Sequence, residues 1–380
     1  MVLRAALRRK TCARPRRATA GADIFRQVGA MEYRGYVNST KSWLLVIGGL
    51  GLGTRDSGLP NREPRAPTSR QEMRVEVLPN VAQRRVDVLV DGKPFTSYIY
   101  PTTLKKPALY PLRTASGALV TRGWPLDPRP GEPVDHPHQV GLWFDHGDVN
   151  GFDFWNNSNA IPAERAAKMG TIVQRAVRRA ESGSGAGSLE VTADWVDAQG
   201  KALLREDTRF VFRAAAGSRT IDRITSLTAL GDPVTFIDDK EGLIGMRVAR
   251  ALEQPSSNVP RLDTTGGTGH YRSSEGVEGD SVWGTRARWT MLTGVVAGDP
   301  VTLAILDHPK NVGFPTYWHA RGYGLFAANP LGMKIFSNGR EQLIFRHGPG
   351  ESTTFRHRIL ILSGTETPAQ IEELYEDFAR

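Results

Sequence analysis

Four strand-like segments between residues 171 and 229 constrain this chain more than any other feature. TIVQRAV, SLEVTADWV, ALLREDTRFVFRA and RTIDRITSLTAL are separated only by ESGSGAG, DAQG and AAGS. Apolar and polar residues alternate along each, which puts every second side chain on one face. A parallel crossover needs a dozen or more residues, so connections this short permit only antiparallel neighbours and predict a meander. VTLAILD, YGLFAAN, EQLIFRH and TTFRHRILIL add four more candidates, and VDVLVDGKPFTSYIY reads as two runs around Asp91-Gly92. That residue pair suits a type I′ hairpin, and Pro94 behind it argues for an edge strand or an irregular hairpin. Only the C-terminus is clearly helical. Thr367, Pro368 and Gln370 supply an N-cap, a first-turn proline and a capping-box partner, ahead of an apolar stripe at Ile371, Leu374, Tyr375 and Phe378. The expected fold is all-β: a large antiparallel two-sheet sandwich with a C-terminal helix, one domain over residues 72–380.

Charge narrows the choice of partners. The chain has a net charge of +9, but residues 1–70 hold 14 Lys and Arg against 4 Asp and Glu, leaving 35 basic and 36 acidic residues for the rest. The body therefore has no overall pull towards phosphate, and no nucleic-acid partner is expected. The single cysteine, Cys12, also lies in this leader, so the body offers no disulfide, thiolate metal site or cysteine nucleophile. Residues 1–71 read as a basic leader, a signal-like segment and a Pro-rich linker. Arg34 and Lys41 precede an apolar run from Trp43 to Leu52. That run is shorter than the roughly 20 residues of a membrane span and fits the core of a secretory signal. The expectation is a true start at Met31 and export to the periplasm or beyond, with no stable membrane span.

DHPHQVGLWFDHGDVNGFDFW, from Asp135 to Trp155, holds three of the eight histidines and four aspartates. Residues at i and i+2 of an extended chain point the same way, so His136 and His138 could share a cleft. His146 follows inside a Gly-rich polar turn with Asp148 and Asn150. Between these clusters, Gly141-Leu142-Trp143-Phe144 is apolar enough to be buried. Histidine is the usual proton donor or acceptor near neutral pH. His136, His138 and His146 also have the chemistry to hold one divalent metal ion, although their spacing matches no zinc signature. A third possibility is that these polar residues only satisfy turn backbones.

Further clusters favour a ligand site. Lys240-Glu241 follows an apolar strand, His308 follows VTLAILD, and Tyr317-Trp318-His319-Ala320-Arg321 combines an aromatic, an imidazole and a guanidinium. Aromatic faces stack on sugar rings, and Arg, Asn and Asp hydrogen-bond hydroxyls and carboxylates. No dinucleotide fingerprint, P-loop or GxSxG elbow is present.

KKPALYPLRTASGALVTRGWP, DHPHQVGLWFDHGDVNGFDFW, DDKEGLIGMRV, SVWGTRARW and YWHARGYGLFAANPLG together resemble a bacterial family that carries the label methane oxygenase PmoA. The resemblance spans roughly residues 75 to 375. It implies a galactose-mutarotase-like supersandwich, a fold used mainly on carbohydrates, rather than a membrane-embedded copper oxygenase. His136, His138, His146, Asp148, Asn150, Lys240, Glu241, Trp318, His319 and Arg321 match the family pattern. Family members commonly read His-Pro-His-His-Arg-Gly where this chain has Gln139 and Val140 at the fourth and fifth places. The expected function is an exported carbohydrate-active enzyme, an epimerase, lyase or hydrolase, needing no cofactor. His138, His146, Glu241 and His319 are its expected acid–base groups; Asp148, Asn150, Lys240, His308, Trp318 and Arg321 are its expected substrate contacts. The alternatives are an enzyme with one divalent metal ion on the three histidines, and a non-catalytic sugar-binding module.

Overall fold

The computed structural model describes residues 72–257 and 262–380, so the expectations for the leader lie outside the described residues. These residues build two large antiparallel sheets packed face to face. The first has nine strands, in the order Tyr317–Arg321, Leu325–Asn329, Gly242–Arg247, Leu142–His146, Ala108–Leu109, Lys93–Ile99, Arg85–Val90, Arg74–Asn80 and Gly183–Ser184. The second has eight: His270–Ser273, Trp289–Val296, Asp299–Asp307, Ser352–Ser363, Ser218–Ala229, Ala202–Ala215, Ala186–Val196 and Thr171–Glu181. This is the two-sheet sandwich that the strand pattern predicts and the supersandwich that the resemblance implies. The last four strands are the expected meander, interrupted only where Gly183–Ser184 joins the first sheet. EQLIFRH contracts to Phe345–His347, which pairs with Val234–Phe236 in a separate ribbon.

Asp91 and Gly92 both have positive φ, +48° and +73°, as the predicted hairpin turn requires. The strand that carries Pro94 has a neighbour on each side, so it is not an edge. Instead the ladder shifts register between Val88 and Leu89, opposite Pro94, and this irregularity absorbs the missing N–H. The C-terminal helix Pro368–Ala379 has its capping box and buries Ile371 and Tyr375. They pack with Trp289, Met291, Leu306 and Leu360 of the second sheet, on the face turned away from the first.

The space between the sheets is mostly apolar, and a buried ion pair lies within it. Arg223 Nη2 donates to Glu206 Oε1 at 2.6 Å, and Trp195 Nε1 and Thr208 Oγ1 donate to the same carboxylate at 2.8 and 2.7 Å. The guanidinium lies 4.6 Å from the Phe144 ring centroid and 5.1 Å from that of Phe210. Removing one member of such a pair strands the other charge without water, which costs about 3–5 kcal/mol. Glu206→Gln is expected to lower unfolding free energy in urea by that amount, and Glu206→Gln combined with Arg223→Met to recover part of it. Equal stability of the single variant and wild type would show the pair to be hydrated.

Candidate functional site on the open face of the first sheet

Strand alternation decides what each face of the first sheet carries. Leu142, Phe144, Ile244, Met246, Trp318, Ala320, Phe326 and Ala328 join the core between the sheets. The intervening residues look the other way. Across four strands, His319 pairs with Ala327, Ala327 with Gly245, and Gly245 with Trp143, so these side chains share one row. A Cβ at Gly245 would lie 2.6 Å from Trp143, so the glycine is what lets that indole settle on the sheet. Trp143, Trp155, Tyr323, Leu325 and Ala327 form a second apolar cluster here. We refer to this side as the open face.

A turn at Asp135–Gln139 is clamped onto it. Asp135 accepts from Arg122 Nη1 at 2.6 Å and from Arg247 Nη2 at 2.8 and 3.0 Å, and both arginine side chains are fully buried. The same carboxylate pairs with His136 Nδ1. The His136 ring stacks on Tyr323 with centroids 5.3 Å apart and planes 2° from parallel, and its centroid is 5.6 Å from that of His138. His138 turns into a cleft of about 490 Å³ lined by Trp124, Leu126, Lys106, Trp143, Asn157 and Asn159, among others. Burial and nearby cations hold its imidazole neutral, with a pKa pushed down to about 2.

Under the cleft, Lys106 Nζ donates to the Asp145 carboxylate and to the carbonyls of Phe154 (3.1 Å) and Trp155 (2.6 Å). All three ammonium donors are used, so Lys106 is a clamp and not a free amine. Burial pushes the Asp145 carboxyl up to about 7 despite this cation.

At the sheet edge, His319 Nδ1 lies 3.1 Å from the Lys240 carbonyl oxygen and 3.8 Å from Glu241 Oε2. Glu241 pairs with the Lys240 ammonium. Arg321, two residues beyond His319, lies over Trp283 at 5.7 Å and has no carboxylate partner among the described residues. Burial, with Lys240 and Arg321 nearby, lowers the His319 pKa to about 3.

The structure thus gathers His136, His138, Lys240, Glu241, His319 and Arg321 on the open face. Five other expected residues lie elsewhere. His146 has the parity of Phe144 and faces the core, with Nε2 2.7 Å from the Ile237 carbonyl oxygen and its ring 5.8 Å from Phe236. It cannot join His136 and His138 around a metal, and no group of three or more His, Cys, Asp or Glu among the described residues is placed to hold one. Asp148 Oδ1 accepts from Gly151 N at 2.8 Å. Asn150 sits at φ +54° and bonds Thr235 N and the Pro233 carbonyl, so both residues serve turn backbones. Trp318 is fully buried between the sheets, donates Nε1 to the Ala287 carbonyl at 3.1 Å, and presents no stacking surface. His308 accepts from Lys310 N and packs on Phe378 of the C-terminal helix.

Asp135, Arg122, Arg247, Tyr323, Lys106 and Asp145 were not singled out by sequence reasoning. Their one visible signal is charge inside apolar runs, as in GLIGMRV and GLWFDH. Gln139 and Val140, which depart from the family pattern, are both buried: Gln139 Oε1 accepts from Arg247 Nη1 at 2.6 Å, and Val140 lines the cleft.

Fold and site define an all-β sandwich with a polar, histidine-bearing open face. The chain belongs to the Family of unknown function (DUF6807), whose model matches residues 85–376. No curated protein matches it. Among solved structures it is similar to the GH36 α-galactosidase AgaB from Geobacillus stearothermophilus, at 11% identity and a TM-score of 0.38, covering 76% of this chain and 41% of that one. It is also similar to a heparan sulfate lyase HepC mutant from Pedobacter heparinus, at 9% identity and a TM-score of 0.29, covering 80% and 38%. Likenesses at these scores carry no argument about activity.

His319 makes stability depend on pH. Unfolded, its imidazole binds a proton below about pH 6.5, whereas folded it stays neutral down to about pH 3. The stability tied to the neutral ring is therefore full above pH 6.5 and declines as pH falls towards 3. Asp145, Glu253 and Asp307, with carboxyls raised by burial to about 7, act in the opposite sense over the same range. A comparison with His319→Gln cancels them. Between pH 7 and 5 wild type is expected to lose about 2 kcal/mol more than the variant in urea titrations, and parallel curves would contradict a buried neutral ring.

Proposed function

We propose that this chain is a carbohydrate-active enzyme acting on a sugar or sugar derivative that carries a carboxylate. The observation that carries the reading is the approach of Glu241 Oε2 to His319 Nδ1 at 3.8 Å, beside the Lys240 ammonium and the Arg321 guanidinium. The carboxylate is the candidate base, and the neutral imidazole beside it, with Nδ1 on the Lys240 carbonyl, positions it. Two cations next to them suit a substrate carboxylate and the enolate-like charge that develops when the adjacent carbon loses its proton. Glycoside hydrolysis commonly uses two carboxylates flanking the bond. Here the second carboxylate of the turn, Asp135, is already held by two arginines, which favours an epimerase or lyase over a hydrolase. Trp124, half-buried at the cleft, takes the aromatic role expected of Trp318, and the exposed Asn159 offers its amide oxygen to hydroxyls.

Turnover is to be measured on free and glycosidic uronic acids and their neutral counterparts. Glu241→Gln and His319→Gln are each expected to reduce kcat at least about 100-fold with folding intact. Neutral sugars are expected to react poorly, and chelators to leave turnover unchanged. Full activity in both variants would remove these residues from the chemistry. Binding without conversion across the panel would make the protein a sugar-binding module, and activity abolished by chelation would favour the metal-dependent alternative.

Export is part of the proposal and rests on the apolar run Trp43–Leu52 behind Arg34 and Lys41. Mass spectrometry of the mature protein is expected to find an N-terminus downstream of this run; a cytoplasmic protein beginning at Met1 would exclude it.

A further inference from the structure

One histidine of the open face is not used by this chemistry. His136 commits Nδ1 to Asp135 and lays its ring on Tyr323, while Nε2 has no hydrogen-bond partner among the described residues. The side chain keeps 38% of its surface exposed. The neighbouring histidines differ: His319 is buried with Nδ1 against a carbonyl, and His138 Nε2 is enclosed without a partner.

Behind the ring, the two buried guanidiniums of Arg122 and Arg247 fix Asp135. Burial pushes this carboxyl up, but the bond to His136 and the two arginines outweigh it and keep Asp135 ionised, well below the usual carboxylate range. A permanently ionised carboxylate on Nδ1 sets the tautomer, and Nε2 becomes the nitrogen that exchanges protons. The backbone of His136 sits at φ +43°, a conformation L side chains rarely adopt, in a turn that its neighbours over-determine. Besides Asp135 and its arginines, the groups around the ring are His138, Tyr323 and, at longer range, His319, whose charge His136 disfavours.

We propose that His136, oriented by Asp135, is a general acid–base residue of the open-face site, acting through Nε2. The proton taken from the bound sugar moves to Nε2 and is returned to the product, while the Nδ1 proton stays shared with Asp135. This rests on the carbohydrate reading above and adds a residue that the reading does not contain.

Positive φ makes glycine the natural test replacement. His136→Gly removes the imidazole without backbone strain and leaves space over Tyr323 for a free imidazole. In the full chain, turnover of whichever panel member wild type converts is expected to fall at least about 100-fold with little change in Tm. Imidazole at tens of millimolar (~50 mM) is expected to restore about tenfold or more of the lost rate, which a merely structural role would not produce. Undiminished turnover, or a folded variant that imidazole does not revive, overturns the proposal and leaves the carbohydrate reading standing. A wild type that converts no panel member overturns both. Should the glycine variant not fold, His136→Asn, which also tolerates positive φ, carries the same loss-of-turnover criterion.

Discussion

Two guanidiniums shut away from water meet at a single carboxylate, and the open face is organised around that meeting. Arg122 comes from the segment after the first strands, Arg247 from the end of a sheet strand, and Asp135 from the turn between them. An unpaired charge in such a place costs several kcal/mol, so the turn is held where both arginines reach a carboxylate. Arg122 also donates to the carbonyls of Pro133, His136 and Gln139, and Arg247 to the Gln139 side chain. The backbone of the turn is thereby held at three carbonyls, and the side chains of Asp135 and Gln139 are held with it. His136 and His138 inherit their positions from it.

A second clamp works on the same face by the same physics. Lys106 reaches from the stretch before its strand to Asp145 on the neighbouring strand and to two carbonyls of the Phe154–Trp155 segment, tying that segment to the sheet. The inner face is held mainly by apolar packing, with the Glu206–Arg223 pair inside it. The open face has no second sheet against it. Its loops are held by charge-assisted hydrogen bonds, which fix orientation where close packing cannot.

This division also explains what was legible in the sequence. Period-two alternation and short turns fixed the meander, the hairpin at Asp91-Gly92 and the capped final helix, because those depend on local chemistry. The side-chain inventory of the site was half legible. Tyr317-Trp318-His319-Ala320-Arg321 contains both faces of one strand, and composition alone does not say which parity looks outward; the structure turns His319 and Arg321 out and Trp318 in. The same one-residue parity separates Asp145 from His146. Asp148 and Asn150 were chosen as polar residues in a Gly-rich loop, and they spend that polarity on their own turn. Arg122, Lys106 and Arg247 stayed invisible because a cation in an apolar run reveals nothing of its partner more than ten residues away.

The electrostatics of the open face separate its cations from its neutral imidazoles. His138 and His319 are held neutral through the whole physiological range by burial, so they add no positive charge with which to attract an anion. Arg122 and Arg247 are spent on Asp135. Among the described residues of this face, Lys240, shared with Glu241, and Arg321, which lies on an indole without a carboxylate partner, are the cations left over. Under the proposed function, attraction for a substrate carboxylate falls to these two side chains and not to the imidazoles. A site built on imidazolium attraction would lose affinity each time its acid gave up a proton. Under the proposed function Lys240 and Arg321 would hold the substrate through both halves of a proton-transfer cycle, and the buried rings of His138 and His319, hard to protonate, leave the transfer to Glu241 and His136.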